Sequence, residues 1–568
     1  MALLRSREDV VEIGIDELAM DRREAQLLLT GAGVQFSDDE VDRVVEQTEG
    51  WPVGLYLAAV ASKEGRRPVG TGFAFRGDDR LMADYVRSEI LFNLAPSIVE
   101  FLTRTAVLDQ LSAPLCDAVL ETRGSQAVLE SLEFSNLMLV PLDRHRKWYR
   151  YHRLLRELMA AQLTRNEPEL VPELYARAAR WFEDHRMPAM AIGHAQEAGD
   201  PDRVASLVAS ATPPAYAAGH ATTVRRWFEW FRAEGLIERY PDVAVLGAMV
   251  EALRGQPASA ERWADAGGGE SVEGTLRDGS GVAGLRAYLR ALACETGVAR
   301  MRDDARTAQA TLAPECPFRA GAMLLEGLSY VLDGDHDAAD PILARASDVA
   351  VYLGAWPSAA AAVAERALLA IGRHDWDEAH TLTARGLAIV EERRLEEYLE
   401  AAVVYLVAAR MAVRAGQRGA AIEYVARAAH LRPLLTYAIP CTAQFQLELA
   451  KAYLELADPT AARTVLREMR DILQQRRDLG VLRREADDVR SALDAIRQGP
   501  IAASSLTVAE LRLLPYLPTH LTFAAIGARL HLSRNTVKTQ AISTYRKLGV
   551  SSRSEAIGRA QHIGLLEP

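Results

Sequence analysis

The chain has 568 residues, of which 49% are hydrophobic and 25% charged, and a formal net charge of −11. Such a length exceeds what one core organises and predicts about three or four domains of ordinary globular composition. No apolar run approaches the roughly 20 residues that span a bilayer, and the opening MALLRSREDVVEIG lacks a signal-peptide apolar core, so the chain reads as cytoplasmic with no membrane partner.

Heavy use of Ala, Arg, Leu and Glu with few aromatics predicts a mainly all-α fold. Cys116, Cys294, Cys316 and Cys441 have no Cys-x-x-Cys spacing, which argues for buried thiols over a disulfide framework or a zinc site. No GxSxG elbow, HExxH helix or paired catalytic constellation stands out. The chain is therefore expected not to be an enzyme and to need no cofactor or metal.

Near the front, residues 46–61 read EQTEGWPVGLYLAAVA. Further on, LESLEFSNLMLVPLDRHRKWYRYHRLLRELM predicts a helix, a strand NLMLV, a turn DRHRK, a strand WYRY and another helix. The TEGW element and this later segment resemble large LuxR-type regulators of the maltose-regulator (STAND NTPase) class. In those proteins TEGWxxGL closes the helical part of the nucleotide-binding module, and a winged-helix segment comes next. The resemblance implies a remnant of that module over 1–65 and a winged-helix-like domain over 75–168. Arg144, Arg146 and Lys147 in the wing are either exposed turn residues or a nucleic-acid contact. Tyr151 and His152 are expected to lock the hairpin onto the next helix. The family's phosphate loop, G-x4-G-K-[ST], is not in these 568 residues. ATP binding in the family's manner is not expected, and the chain reads as a truncated or natural short form.

From about 170 to 497, helix follows helix across short turns. Segments around Ala339, Ala379, Ala421 and Ala462 align on one another at offsets of 40, 42 and 41, and the first three share Ala-x4-Ala-Arg. A period near 40 predicts an α-solenoid of tetratricopeptide-like helix pairs with small residues at the crossings. Such a solenoid offers a surface for a small-molecule or protein effector, or serves as a spacer. Residues 266–281, AGGGESVEGTLRDGSG, interrupt the rhythm and read as a mobile loop.

Residues 498–505 read as a linker to a tail of different charge. From 506 to 568 there are eight bases and three acids, a net +5, which leaves −16 for the rest. Capping signals predict four short helices in this tail. Thr507 with Glu510 opens the first, Thr522 the second, Ser533 the third, and Ser552 with Glu555 the fourth. Gly549 closes the third helix and Gly564 the fourth. The tight HLS turn makes the middle pair a helix-turn-helix spanning Phe523 to Ile542. On the third helix, Val537, Ala541, Tyr545 and Leu548 recur at core spacing. Asn535, Thr539, Ile542 and Arg546 lie opposite, flanked by Arg534 and Lys538. That face offers hydrogen bonds for base edges, an aliphatic for a thymine methyl and cations for phosphate. A solvated amphipathic helix is the plainer alternative.

LTVAEL, SRNTVKTQ and YRKLGVSSRSEA are similar to the LuxR-type DNA-binding domain over about 60 residues. The resemblance implies a recognition helix over about 533–548 in the major groove of double-stranded DNA, with the fourth helix dimerising on that DNA. It places Lys538 and Thr539 at base-facing positions and Ile542 one turn on. Thr536, Arg534, Lys547 and Arg553 fall at phosphate-contacting or surface-basic positions. Two positions depart from the family: Ala525-Ile526-Gly527 replaces Glu-Ile-Ala, which lowers helix propensity by up to about 1 kcal/mol, and Gln540 replaces a common His. The expected function is a sequence-specific transcriptional regulator with the solenoid as sensor and RNA polymerase among its partners. The rival is an interaction scaffold whose tail no longer reads DNA.

Overall fold

The computed structural model describes residues 18–63, 77, 79–92, 94–135, 138–268, 274–476, 478–498, 506–519, 521–530, 532–562 and 565–566. Regular structure among them is almost wholly helical; the named strands are β1 (Leu139–Pro141) and β2 (Tyr149–Tyr151). No helix among these residues is long and apolar enough to cross a membrane. All four cysteines are free; Cys116, Cys294 and Cys316 are buried and Cys441 half-buried. The linker over 499–505, Gly564, and residues 269–273 of the Gly-rich stretch lie outside the described residues. Of that stretch, 274–281 closes on an isolated bridge between Thr275 and Gly281.

Contacts divide the chain into two compact units. The first comprises 1–251, 258–286 and 311–319. Here the TEGW element is a helix end and its turn. Glu49 and Gly50 adopt left-handed backbone, and a Cβ on Gly50 would stand 2.6 Å from the Met20 carbonyl. The Glu49 carboxylate accepts from Arg150 Nη1 at 2.8 Å and from the Arg153 amide at 3.0 Å, so this turn is tied to the hairpin region.

β1 pairs antiparallel with β2 in the register Leu139–Tyr151, and Leu111 bridges Tyr149 as a third short edge. Three amides, of His145, Lys147 and Trp148, donate to the Asp143 carboxylate and close the wing turn. Tyr151 is hydrogen-bonded to Thr105 Oγ1 at 2.7 Å, on helix Pro96–Thr105. His152 Nδ1 accepts from the Leu154 amide, capping helix Arg153–Asn166, while Nε2 meets the Thr48 carbonyl at 3.1 Å. His152 therefore fastens the next helix as expected, whereas Tyr151 fastens a preceding one.

The second unit comprises 252–257, 287–310 and 320–568. Its repeat region is a row of helix pairs: Trp356–Gly372 with Trp376–Glu392, Ala401–Arg414 with Arg418–His430, and Ile439–Glu455 with Pro459–Gln475, preceded by Phe318–Asp333, whose Leu324, Tyr330 and Val331 pack against Ala339 and Leu343 of His336–Leu353. The four alanines that set the period, Ala339, Ala379, Ala421 and Ala462, have no exposed surface. Each sits one turn into the second helix of its pair, where a larger side chain would separate the partners. Asp335, Asp375 and Asp458 cap three of those helices through amides three residues on. The shared Ala-Arg does not lie at the crossings: Arg345, Ala384, Arg385, Ala426 and Arg427 are exposed. Leu343, Ala346, Gly386, Val425 and Ala428 fill the helix interfaces instead.

Candidate nucleic-acid interface

The tail builds its own core from Leu506, Leu513, Leu514, Leu517, Ile526, Val537, Ala541, Leu548, Ala556 and Ala560. Each of its helices starts where the local capping chemistry dictates. Thr507 Oγ1 accepts from the Glu510 amide, and Glu510 Oε2 accepts from the Thr507 amide at 2.6 Å, a complete capping box for Val508–Leu513. Thr522 Oγ1 accepts from the Ala525 amide at the start of Phe523–Leu530. Ser533 Oγ accepts from the Thr536 amide at 3.1 Å and opens Arg534–Leu548, which Gly549 closes at φ 70°. Ser552 Oγ accepts from the Glu555 amide before Arg553–His562. The Glu555 carboxylate does not complete the expected box there. It reaches one residue further back, accepting from the Ser551 amide at 2.9 Å.

The two middle helices meet at a close turn. The Leu532 amide donates to the Gly527 carbonyl at 2.8 Å, and a Cβ on Gly527 would lie 2.5 Å from the Leu532 oxygen. Gly527 thus has a steric role here beyond its poor helix propensity. On the third helix Val537, Ala541 and Leu548 are buried as expected, but Tyr545 is only half-buried. Thr544, which the core spacing does not include, is fully buried and returns its hydroxyl to the Gln540 carbonyl at 2.8 Å.

Arg534, Asn535, Thr536, Lys538, Thr539, Ile542 and Arg546 are all exposed on that helix. Ile542, at 55% exposed, is a large aliphatic held in water among polar neighbours. Among the described residues Arg534, Lys538 and Arg546 enter no ion pair, so their charges face outward uncompensated. Thr539 donates its hydroxyl to the Asn535 carbonyl and retains its acceptor capacity.

Two expected contact residues are placed otherwise. Lys547 Nζ lies 2.7 Å from Glu510 Oε2, whose side chain is only 5% exposed. Burial alone would push the Glu510 carboxyl up, but Lys547, Thr507 and Ser543 hold it down at about 2. Arg553 is engaged more fully still. Its Nε donates to the Leu517 carbonyl, Nη1 to Leu521, and Nη2 to Tyr516 and Thr519, at 2.7 to 3.1 Å. The guanidinium thereby ties the fourth helix to the segment entering the second. Four of the five N–H donors of Arg553, a residue expected in the phosphate-contacting or surface-basic set, are engaged with the protein's own backbone.

In the wing, Arg146 pairs with Glu133 at 3.1 Å, while Arg144 and Lys147 are exposed.

Comparison with known proteins matches residues 504–560 to the family of bacterial regulatory proteins, luxR family, and residues 87–171 to the MalT winged helix domain. The fold and tail therefore define a LuxR-type DNA-binding domain on a chain that also carries a MalT-type winged helix. The serine/threonine-protein kinase PknK of Mycobacterium tuberculosis is 29% identical over 206 residues, 36% of this chain and 19% of its own length. The HTH-type transcriptional regulators MalT of Vibrio campbellii and Vibrio parahaemolyticus are 26% and 25% identical, over 36% and 44% of this chain and 23% and 28% of theirs. The matched part thus spans less than three tenths of the length of each of these relatives. A solved STAND protein with a tetratricopeptide repeat sensor, from Pyrococcus horikoshii, aligns over 96% of this chain and 72% of its own at 15% identity. Its TM-score of 0.29 is too low to bear on the fold. The chain thus carries two modules, a MalT-type winged helix and a LuxR-type DNA-binding domain, and is similar to MalT over part of its length.

Proposed function

We propose that this chain regulates transcription by binding double-stranded DNA sequence-specifically, with helix Arg534–Leu548 as the recognition helix in the major groove. The supporting observation is the outward face of that helix. Three cations without acid partners among the described residues surround Asn535, Thr539 and Ile542, on a helix fixed by its Ser533 cap and its buried Val537, Ala541 and Leu548. Lys538 and Thr539 read base edges, Ile542 meets a thymine methyl, and Arg534, Thr536 and Arg546 hold phosphates. Arg553 and Lys547 belong to the support of that helix. Two copies dimerise on paired half-sites through the fourth helix, since one such domain makes few phosphate contacts and gains affinity by tethering. The repeat region serves as sensor for an effector or protein partner, RNA polymerase among the candidates.

The test is selection of duplexes from a random pool by the full chain, followed by binding of the enriched sequence across a salt series. Enrichment of a two-half-site motif and a steep salt slope are expected. Binding with a salt slope but no enriched sequence would reduce the tail to a nonspecific polyanion surface.

A further inference from the structure

Within the second unit the repeat helices enclose a cavity of about 60 Å³, room for roughly four or five water-sized groups. Its walls are apolar, with Leu328, Leu406 and Phe445 beside Tyr288, yet two carboxylates, Glu365 and Glu400, line it as well. Both are buried, at 5% and 8% exposure. Glu365 Oε2 accepts from Gln444 Nε2 at 2.7 Å. Glu400 Oε2 is buried with no hydrogen-bond partner.

A third carboxylate in the lining, Glu448, shows what a satisfied site looks like here. It is held by Arg410 Nη1 and Lys451 Nζ, each at 2.7 Å. Those two bases are further engaged with Glu455 and Glu485. They therefore have no charge to spare for Glu365 or Glu400. Burial pushes both of these carboxyls up to about 7, against the hydrogen bond from Gln444 on Glu365 and a backbone bond on Glu400. Both also act on the Cys441 thiol, which burial first and then these carboxylates push up to about 12. A buried carboxylate without a counter-ion is costly, and either a proton or a ligand cation must relieve it.

We propose that this cavity is a binding site for a small primary alkylammonium ion, its apolar body against Leu328, Leu406 and Phe445 and its ammonium hydrogen-bonded to the unpartnered Glu400 carboxylate. The missing component of the cavity is a positive donor, because the walls already supply the apolar contact and the carboxylates the acceptors. A neutral polyol would find few donors to meet its oxygens, and an anion would face two acids. The volume limits the ligand to about five heavy atoms. Its consequence for regulation rests on the reading of the repeats as a sensor. Binding itself makes no use of the DNA-reading helix.

Thermal unfolding and titration calorimetry of the full chain with n-butylamine, at mildly alkaline pH, test this, with n-butanol and sodium butyrate as controls at matched ionic strength. A saturable rise in Tm with butylamine alone is expected. Glu400→Gln keeps the side-chain shape and should weaken butylamine binding by about tenfold to a hundredfold. Circular dichroism and the ligand-free Tm establish that the variant is folded. Absence of any butylamine response overturns the proposal, as does an equal response to butanol or an undiminished response in the folded Glu400→Gln variant. Sequence-selective DNA binding in the same preparation would survive all three outcomes, so the two readings fail separately.

Discussion

Lys547 Nζ rests 2.7 Å from Glu510 Oε2, and the same oxygen caps the Thr507 amide, so one carboxylate joins the first tail helix to the third across 37 residues of sequence. Because the carboxylate is nearly inaccessible to water, the pair is stronger than a surface ion pair and more costly to break on one side. Lys547→Ala should destabilise the tail by about 1–3 kcal/mol, and Glu510→Ala by a similar amount with loss of the cap. Hydrogen exchange of the tail amides in the full chain measures both. The double variant should cost less than the sum of the two, and strict additivity would count against the coupling.

The same pair predicts a dependence on acid. Folding lowers the Glu510 carboxyl to about 2, against about 4.3 in an unfolded chain. A depressed carboxyl contributes stability that is complete above the unfolded value and lost as pH falls through the folded one. Tail protection should therefore decline between about pH 4.3 and 2, corrected for intrinsic exchange, and more steeply than in Glu510→Gln. Identical acid profiles for the two proteins would remove Glu510 as the cause.

Arg553→Ala is expected to act through folding. Four carbonyls lose a charged donor, a cost of about 1–3 kcal/mol even where water replaces part of it. Tail exchange should quicken without DNA present, and the salt slope of the remaining binding should stay near that of the parent. A slope lower by about one with normal exchange would restore Arg553 to the phosphate contacts.

Lys538→Ala should show the opposite pattern. Its side chain is exposed and holds nothing in place, so tail exchange should not change. Affinity for the enriched sequence should fall by about 1–3 kcal/mol while affinity for random duplex falls less. Equal losses on both duplexes would make it a phosphate contact.

Gly527→Ala sets helix propensity against sterics. The substitution favours an isolated helix by up to about 1 kcal/mol, but the new Cβ would meet the Leu532 oxygen at 2.5 Å. A net loss of tail stability is expected, read as a lower midpoint of denaturant-induced exchange. A gain would mean that the turn opens freely.

Sequence alone determined the parts of this protein that depend on neighbours three or four residues apart. Thr507, Ser533 and Gly549 mark helix ends because a hydroxyl or a left-handed residue acts on amides and carbonyls of its own turn. The solenoid period was legible for the same reason, since Ala339, Ala379, Ala421 and Ala462 recur at one position of a repeated local unit. The exposed face of the third helix also came from its 3.6-residue turn. Only the tertiary structure decided which basic residues remain free. Lys538 and Arg553 look alike in the sequence, yet Lys538 faces solvent while four carbonyls 32 to 37 residues away claim Arg553. Lys547 is claimed over a similar span by Glu510. The steric need at Gly527 and the unpartnered acid at Glu400 were hidden for the same reason. Each depends on where a distant segment comes to rest, and capping and periodicity constrain only the residues within a turn of themselves.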